Sequence, residues 1–166
     1  MAEQTLLDTL AEGIKGEMDG ITVYQEAADR SEGEVREFFL ERAAEEKMHY
    51  NWLLDYYQQV SLGKTPLGSP LSRGKSAEKV SALFTKDFLK QIGETQYLTT
   101  AIATALNLEY NAVVHYRDKA KTMEDPTIRE LYEELSVWEG EHYDTLLKIQ
   151  EESRQYWFDS QRFEPF

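Results

Sequence analysis

The chain has 166 residues, 41% hydrophobic and 30% charged, which suffices for the core of one domain but not of two large ones. Its 31 acidic and 18 basic residues give a net charge of −13, which disfavours nucleic acid and anionic membranes as partners. There is no apolar run of the roughly 18 residues that span a membrane, and no signal peptide, so we expect a cytoplasmic protein. Without cysteine, the chain can hold no disulfide, thiolate zinc site or iron–sulfur centre.

Apolar residues recur at helical spacing in the first part of the chain, which predicts two long helices. The first is predicted from about Thr5 to Asp29. The segment from Ser31 to Glu34 has the pattern of a capping box, in which the serine oxygen accepts a backbone N–H, and it predicts the start of the second helix. That helix is predicted to end near Val60.

Residues 61–94 are predicted to form a long crossover, because glycine and proline interrupt its first part. A short amphipathic segment through Phe88 and Ile92 ends it. A third long helix is predicted from near Thr95 and a fourth from Pro126, with Asp125 as its cap. The sequence therefore predicts an all-α protein with four long helices.

The two halves of the chain repeat each other. Adding 92 to the residue number maps the first long helix onto the third, and adding 93 maps the second onto the fourth. The repeat predicts two similar helical hairpins joined by a crossover, which form a four-helix bundle over residues 1–155. The repeat-related polar pairs are Glu17 and Glu109, Tyr24 and Tyr116, Glu46 and Glu139, and His49 and His142.

Six ionisable side chains interrupt the apolar faces of these helices. Each hairpin supplies one glutamate from its first helix and a Glu-x-x-His pair from its second, and residues three apart share a helix face. Four carboxylates in an apolar core repel one another and lose hydration, and two divalent cations would neutralise them. We therefore predict a buried two-metal site, with a metal-free polar network as the alternative. The predicted ligands are Glu17, Glu46, His49, Glu109, Glu139 and His142.

This pattern resembles the ferritin-like di-iron carboxylate superfamily over nearly the whole chain. A tyrosine seven residues after the lone glutamate, at Tyr24 and again at Tyr116, is most similar to the rubrerythrin-type domain. The resemblance implies a ferritin-like bundle with two iron ions, Glu46 and Glu139 bridging them. It also implies that Glu17 and Glu109 are terminal ligands, that His49 and His142 bind one iron each, and that both tyrosines hydrogen-bond the carboxylates.

Three departures from that family limit what the resemblance implies. A chain without cysteine has no rubredoxin module, so electrons are expected from an external donor protein. Ala112 stands where the family's peroxidases have an additional glutamate, which puts peroxide reduction in question. Bacterioferritin-like proteins have a haem-binding methionine directly after the second-helix glutamate, but Lys47 is there, so haem is not expected.

The resemblance implies an oxidoreductase that reacts with oxygen or peroxide. Two alternatives remain open: an iron-oxidising storage protein of the ferritin type, and a metal-binding bundle without redox turnover. Carboxylate and imidazole ligands also suit manganese and zinc, so the residues alone do not select iron.

Two further polar residues are predicted to lie outside the site. His115 comes six residues after Glu109, about 240° round the helix, and is interpreted as a surface or packing residue. Arg42 precedes Glu46 by one turn and could offset carboxylate charge, but we favour a side chain that extends to solvent.

The chain ends in an aromatic segment, predicted to be a tail of residues 156–166 with Tyr156, Trp157, Phe158, Phe163 and Phe166. Large aromatic side chains do not stay in water without a partner surface. Folding back across the bundle and packing on a second subunit are both open, and we favour a contribution to a dimer interface, and hence a homo-oligomer.

Overall fold

The computed structural model describes residues 2–66 and 84–161, and these residues form helices and connections with no strand. The predicted all-α class is confirmed. The helices are α1 (Ala2–Asp29), α2 (Gly33–Ser61), α3 (Lys86–Glu94), α4 (Gln96–Ala120) and α5 (Pro126–Gln161). Helix α1 packs along α2 and α4 along α5, α1 also contacts α4, and α3 lies against α4 and α5. None of the described helices is long and apolar enough to cross a membrane.

Two apolar clusters form the core of this helical bundle. The first contains Phe39, Ile102 and Leu146, and the second contains Leu53 and Leu131. Every long helix has residues in both clusters, and its predicted ligands lie in the part of the helix between the two sets of residues. The clusters therefore enclose one polar layer across the middle of the bundle.

The helix boundaries follow from local hydrogen bonding. Asp125 caps α5 as predicted, since its Oδ1 accepts from the amides of Thr127 (2.8 Å) and Ile128 (3.2 Å). Ser31, in contrast, does not cap α2. Its hydroxyl donates to the carbonyl of Ala28 (3.2 Å), near the end of α1, and α2 begins at Gly33 instead.

Helix α5 continues to Gln161, so residues 156–161, which we assigned to the tail, are helical. Its last turns lie beside α3, where the Gly93 Cα comes close to the backbone of Ser153. Phe163, Phe166 and crossover residues 67–83 lie outside the described part of the chain.

Candidate metal centre

The polar layer contains all six predicted ligands, and all are buried, at 0–3% exposure. Helix α1 supplies Glu17, α4 supplies Glu109, and α2 and α5 each supply a Glu-x-x-His pair. Each side chain faces inward because it occupies a core position of its helix, with apolar core residues one to two turns away on both sides.

The six residues form two overlapping groups of four, and within each group one ligand atom per residue lies within 4.8 Å of the others. Glu46 and Glu139 belong to both groups. Group A consists of Glu17, Glu46, His49 and Glu139. Group B consists of Glu46, Glu109, Glu139 and His142. Two candidate cation positions that share two carboxylates have the arrangement expected for a bridged metal pair.

Both histidines turn Nδ1 towards the carboxylates. His49 Nδ1 lies 2.8 Å from Glu139 Oε1 and 3.4 Å from Glu17 Oε2. His142 Nδ1 lies 3.1 Å from Glu46 Oε1 and 3.2 Å from Glu139 Oε2. Nδ1 is therefore the nitrogen that either imidazole would offer to a metal ion.

The hydrogen-bonding state of these atoms fits metal ions. Among the described residues, several buried oxygen and nitrogen atoms of the layer lie 2.8–3.4 Å from one another, but their directions do not form hydrogen bonds, although buried polar groups normally have a hydrogen-bond partner. A metal ion would satisfy such atoms, because ligation uses the same lone pairs. These atoms are Glu17 Oε2, Glu46 Oε1, both oxygens of Glu139, and Nδ1 of His49 and His142.

The pKa values show what this layer requires when no cation balances its charge. Burial and the neighbouring carboxylates raise the pKa of Glu46 well above its usual value, and burial with Glu139 raises that of Glu109 to about 7. Burial opposes ionisation of Glu139 too, but His49 and His142 hold its pKa well below the usual range. Positive charge therefore has to reach the layer, either as protons or as metal ions.

Two buried tyrosines, Tyr24 and Tyr116, each form a hydrogen bond from one half of the chain to the other. The Tyr24 hydroxyl donates to Oε1 of Glu109, and the Tyr116 hydroxyl donates to Oε1 of Glu17. The family resemblance implied hydrogen bonds to carboxylates, and the structure shows which carboxylate each tyrosine binds. Each bond fixes one oxygen of a predicted ligand, and the second oxygen of Glu17 lies 3.4 Å from Nδ1 of His49.

Glu45 contacts the polar layer although it was not among the residues predicted for the site. Its Oε2 lies 2.8 Å from Nε2 of His142, and the same carboxylate pairs with the Arg42 guanidinium at 2.9 and 3.2 Å. The prediction that Arg42 extends to solvent was wrong, because the buried charge of Glu45 holds its side chain inside, 9% exposed. The signal available in the sequence was the three-residue spacing of Arg42 and Glu45, which places them on one helix face.

The other histidine has a different neighbourhood. The ring of His49 packs against Trp138, with centroids 5.0 Å apart, and against Trp52, at 5.5 Å. Its Nε2 is buried and has no hydrogen-bond partner among the described residues. His115 belongs to neither group, as predicted. It packs against Tyr116, and burial lowers its pKa.

A cavity of about 310 Å³ between α1 and α4 reaches the layer. Its lining includes the buried carboxylates of Glu17, Glu46 and Glu109 as well as exposed residues such as Asn111, so it joins the surface to the site. A Cβ on Gly16, which also lines it, would meet no atom within 4 Å. The cavity therefore extends from the surface to the carboxylates of the layer.

Comparison with known proteins gives one match. A family model described as Rubrerythrin matches residues 8–150. This range includes all six side chains of the polar layer, both tyrosines and Glu45. No curated protein and no solved structure matches the chain.

Proposed function

The chain belongs to the rubrerythrin family, and from this premise we propose that it is a di-iron oxidoreductase that reduces oxygen or peroxide. The observation that carries the proposal is the pair of overlapping ligand groups, in which several buried oxygen and nitrogen atoms have no hydrogen-bond partner among the described residues. Two divalent ions would bring four positive charges to four carboxylates, which offsets the burial and the repulsion that otherwise raise the pKa values of Glu46 and Glu109.

The ligand roles follow from group membership. Glu46 and Glu139 would bridge the ions because each belongs to both groups. Each ion would also take one further glutamate and one histidine. These are Glu17 and His49 for the ion of group A, and Glu109 and His142 for the ion of group B.

Bound in this layer, two ferrous ions would supply the electrons that reduce the oxidant. The protein's residues would do three things around them. The carboxylates would hold the pair and balance its charge. Tyr24 and Tyr116 hold Glu109 and Glu17 in place by hydrogen bonds. The apolar clusters on both sides of the layer limit the access of bulk water. The cavity at Gly16 would admit the oxidant.

The remaining elements of the proposal concern partners and assembly. A chain without cysteine cannot carry its own rubredoxin centre, so we propose a separate electron-donor protein. We also propose that the bundle is ferritin-like, with two hairpins related by the internal repeat, and that the chain forms a homo-oligomer. Manganese or zinc would suit the same ligands, but zinc has no redox chemistry and could not supply electrons to the oxidant.

The experiment that tests the function is an anaerobic titration of metal-free protein with ferrous iron, followed by a limiting amount of oxygen or of peroxide. We expect two irons per chain and a near-ultraviolet ferric absorption that a reductant removes. The oxidant that reacts faster identifies the substrate.

Two other outcomes identify the alternatives. Oxidation of many more than two irons per chain, with retention of the ferric product, would indicate an iron-storage protein. Binding of metal with no absorption change on adding either oxidant would indicate a bundle without redox turnover and would contradict the proposal.

A further inference from the structure

The two histidines of the metal centre are repeat-related, but the contacts behind them differ. On the side away from the carboxylates, Nε2 of His142 bonds to Glu45, whose other contacts are with the Arg42 guanidinium. On the same side of His49, Nε2 has no partner among the described residues, and the ring faces two tryptophans. The centre is thus symmetric in its ligands and asymmetric behind them.

The repeat shows where this asymmetry comes from. Adding 93 maps Glu45 onto Trp138 and Arg42 onto Leu135. Trp138 occupies against His49 the place that Glu45 occupies against His142, since its ring centroid is 5.0 Å from the His49 ring. The difference is therefore an exchange of a charged pair for an apolar pair at corresponding positions, not a distortion of the bundle.

The exchange changes what each imidazole can offer a cation. A carboxylate that accepts the Nε2 proton fixes the tautomer with its lone pair on Nδ1, orients the ring, and makes the imidazole a stronger base. Glu45 provides this for His142. Among the described residues, no carboxylate accepts the Nε2 proton of His49, and the two tryptophans pack against its ring without offering a hydrogen-bond acceptor.

Resting on the proposed two-metal function, we propose that Glu45 is a positioning residue that makes the metal positions unequal. Group B, with His142, binds a divalent ion first and more tightly, and group A, with His49, binds the second ion. Arg42 holds the Glu45 carboxyl group in place, at 2.9 and 3.2 Å, and so orients the acceptor towards Nε2 of His142.

Cobalt(II) is a suitable probe, because its visible spectrum reports its ligands and it needs no oxidant. The metal-free protein is titrated by equilibrium dialysis and by absorption. Two binding steps are expected in the wild type. The repeat-related variants Glu17→Gln and Glu109→Gln assign them, since each removes the same group from one position only. Glu109→Gln should weaken the first step, and Glu17→Gln the second.

The role of Glu45 is tested by Glu45→Gln, which keeps the size of the side chain and removes its charge. We expect the affinity of the first step to fall about 10- to 100-fold, the usual effect of removing such a partner, with a changed spectrum for the first ion and an unchanged second step. Glu41→Gln, an exposed glutamate on the same helix, is the control and should leave both steps as they are.

Three results would overturn the inference. In the first, Glu17→Gln weakens the first binding step. In the second, the two binding steps of the wild type have equal affinity. In the third, the Glu45→Gln protein binds both ions as the wild type does. Should Glu45→Gln not fold, the Glu17 and Glu109 variants still decide which group fills first. Fewer than two ions bound to the wild type would instead contradict the proposed function itself.

Discussion

Buried hydroxyl groups in this protein differ in whether they have a partner. Tyr24 and Tyr116 bond to the carboxylates of Glu109 and Glu17, while the hydroxyl of Tyr132, equally buried, has no hydrogen-bond partner among the described residues. All three are tyrosines on core faces of their helices. Their environments alone distinguish them, so matched substitutions can measure what the bond to a carboxylate contributes.

We expect Tyr24→Phe to lower the free energy of unfolding of the metal-free protein by about 1 to 3 kcal/mol, because Glu109 loses a buried donor. Tyr132→Phe should leave it unchanged or raise it slightly, since no bond is lost. Urea unfolding of both variants at one pH measures the difference. Equal effects of the two substitutions would show that the bond to Glu109 contributes nothing.

Gly16 gives a test of the access cavity. A leucine there would meet no atom at its Cβ and would extend beside the cavity, so Gly16→Leu should slow the loading of ferrous iron and the reaction with oxidant. Gly140→Leu is the control, because its Cβ also meets nothing and the residue does not line this cavity.

Both glycine variants should gain up to about 1 kcal/mol of stability from better helix propensity. Stopped-flow absorption measures the two rates, and the final iron content should be the same in both proteins. Equal rates in Gly16→Leu and Gly140→Leu would exclude this cavity as the main route.

At the scale of elements, α3 shows how a short helix is fixed to the bundle. Thr85 caps the start of α3, because its hydroxyl oxygen accepts a hydrogen bond from the backbone amide of Phe88. Phe88 and Ile92 are buried in the first apolar cluster. At Gly93 the helix lies so close to α5 that only a residue without a side chain fits. The place of α3 therefore depends on one glycine as well as on its apolar face.

We expect Gly93→Ala to destabilise the protein although alanine favours helices. Its Cβ would lie 2.8 Å from the carbonyl oxygen of Ser153, and backbone cannot move aside as a flexible side chain can, so α3 must shift away from α5. Gly140→Ala, with open space around its Cβ, should instead stabilise by up to about 1 kcal/mol. Thermal unfolding of both variants checks the opposite signs.

At the scale of the whole molecule, the bundle consists of two apolar clusters separated by a charged layer. The clusters favour the compact state, whereas four glutamates in the layer oppose it unless positive charge balances them. The stability of the fold is thus coupled to what the layer binds, because a ligand that binds only the folded state stabilises it.

Removal of metal should therefore lower the melting temperature at neutral pH. Metal at about 100 times its dissociation constant would add about 2.7 kcal/mol to the free energy of unfolding. Calorimetry with and without a chelator measures the change. The double variant Glu46→Gln, Glu139→Gln, which removes both shared carboxylates, should show no such dependence, and equal melting temperatures for the wild type would argue against a buried metal site.

The aromatic residues at the end of α5 give a test of assembly. Phe158 is 43% exposed, and Trp157 stacks edge to face on it. We propose that these residues contribute to an interface between copies, so deletion after Gln155 should reduce the number of chains per oligomer. Analytical ultracentrifugation measures this number, and a monodisperse, equally stable protein with an unchanged number of chains would contradict the expected interface.

The sequence alone determined the helical class, most helix boundaries and the set of ligand-type residues. Apolar spacing and capping residues such as Asp125 act within a few residues of the chain, so they can be interpreted without a fold. The internal repeat indicated in addition that Glu17 and Glu109 occupy corresponding places.

Only the tertiary structure decided which side chains meet across helices. It showed that Tyr24 bonds to Glu109, that Arg42 stays buried with Glu45, and that Glu45 lies behind His142. It also showed α5 continuing to Gln161 beside α3. These contacts join residues that are distant in the chain or depend on the burial that packing creates, and neither helical periodicity nor residue spacing carries that information.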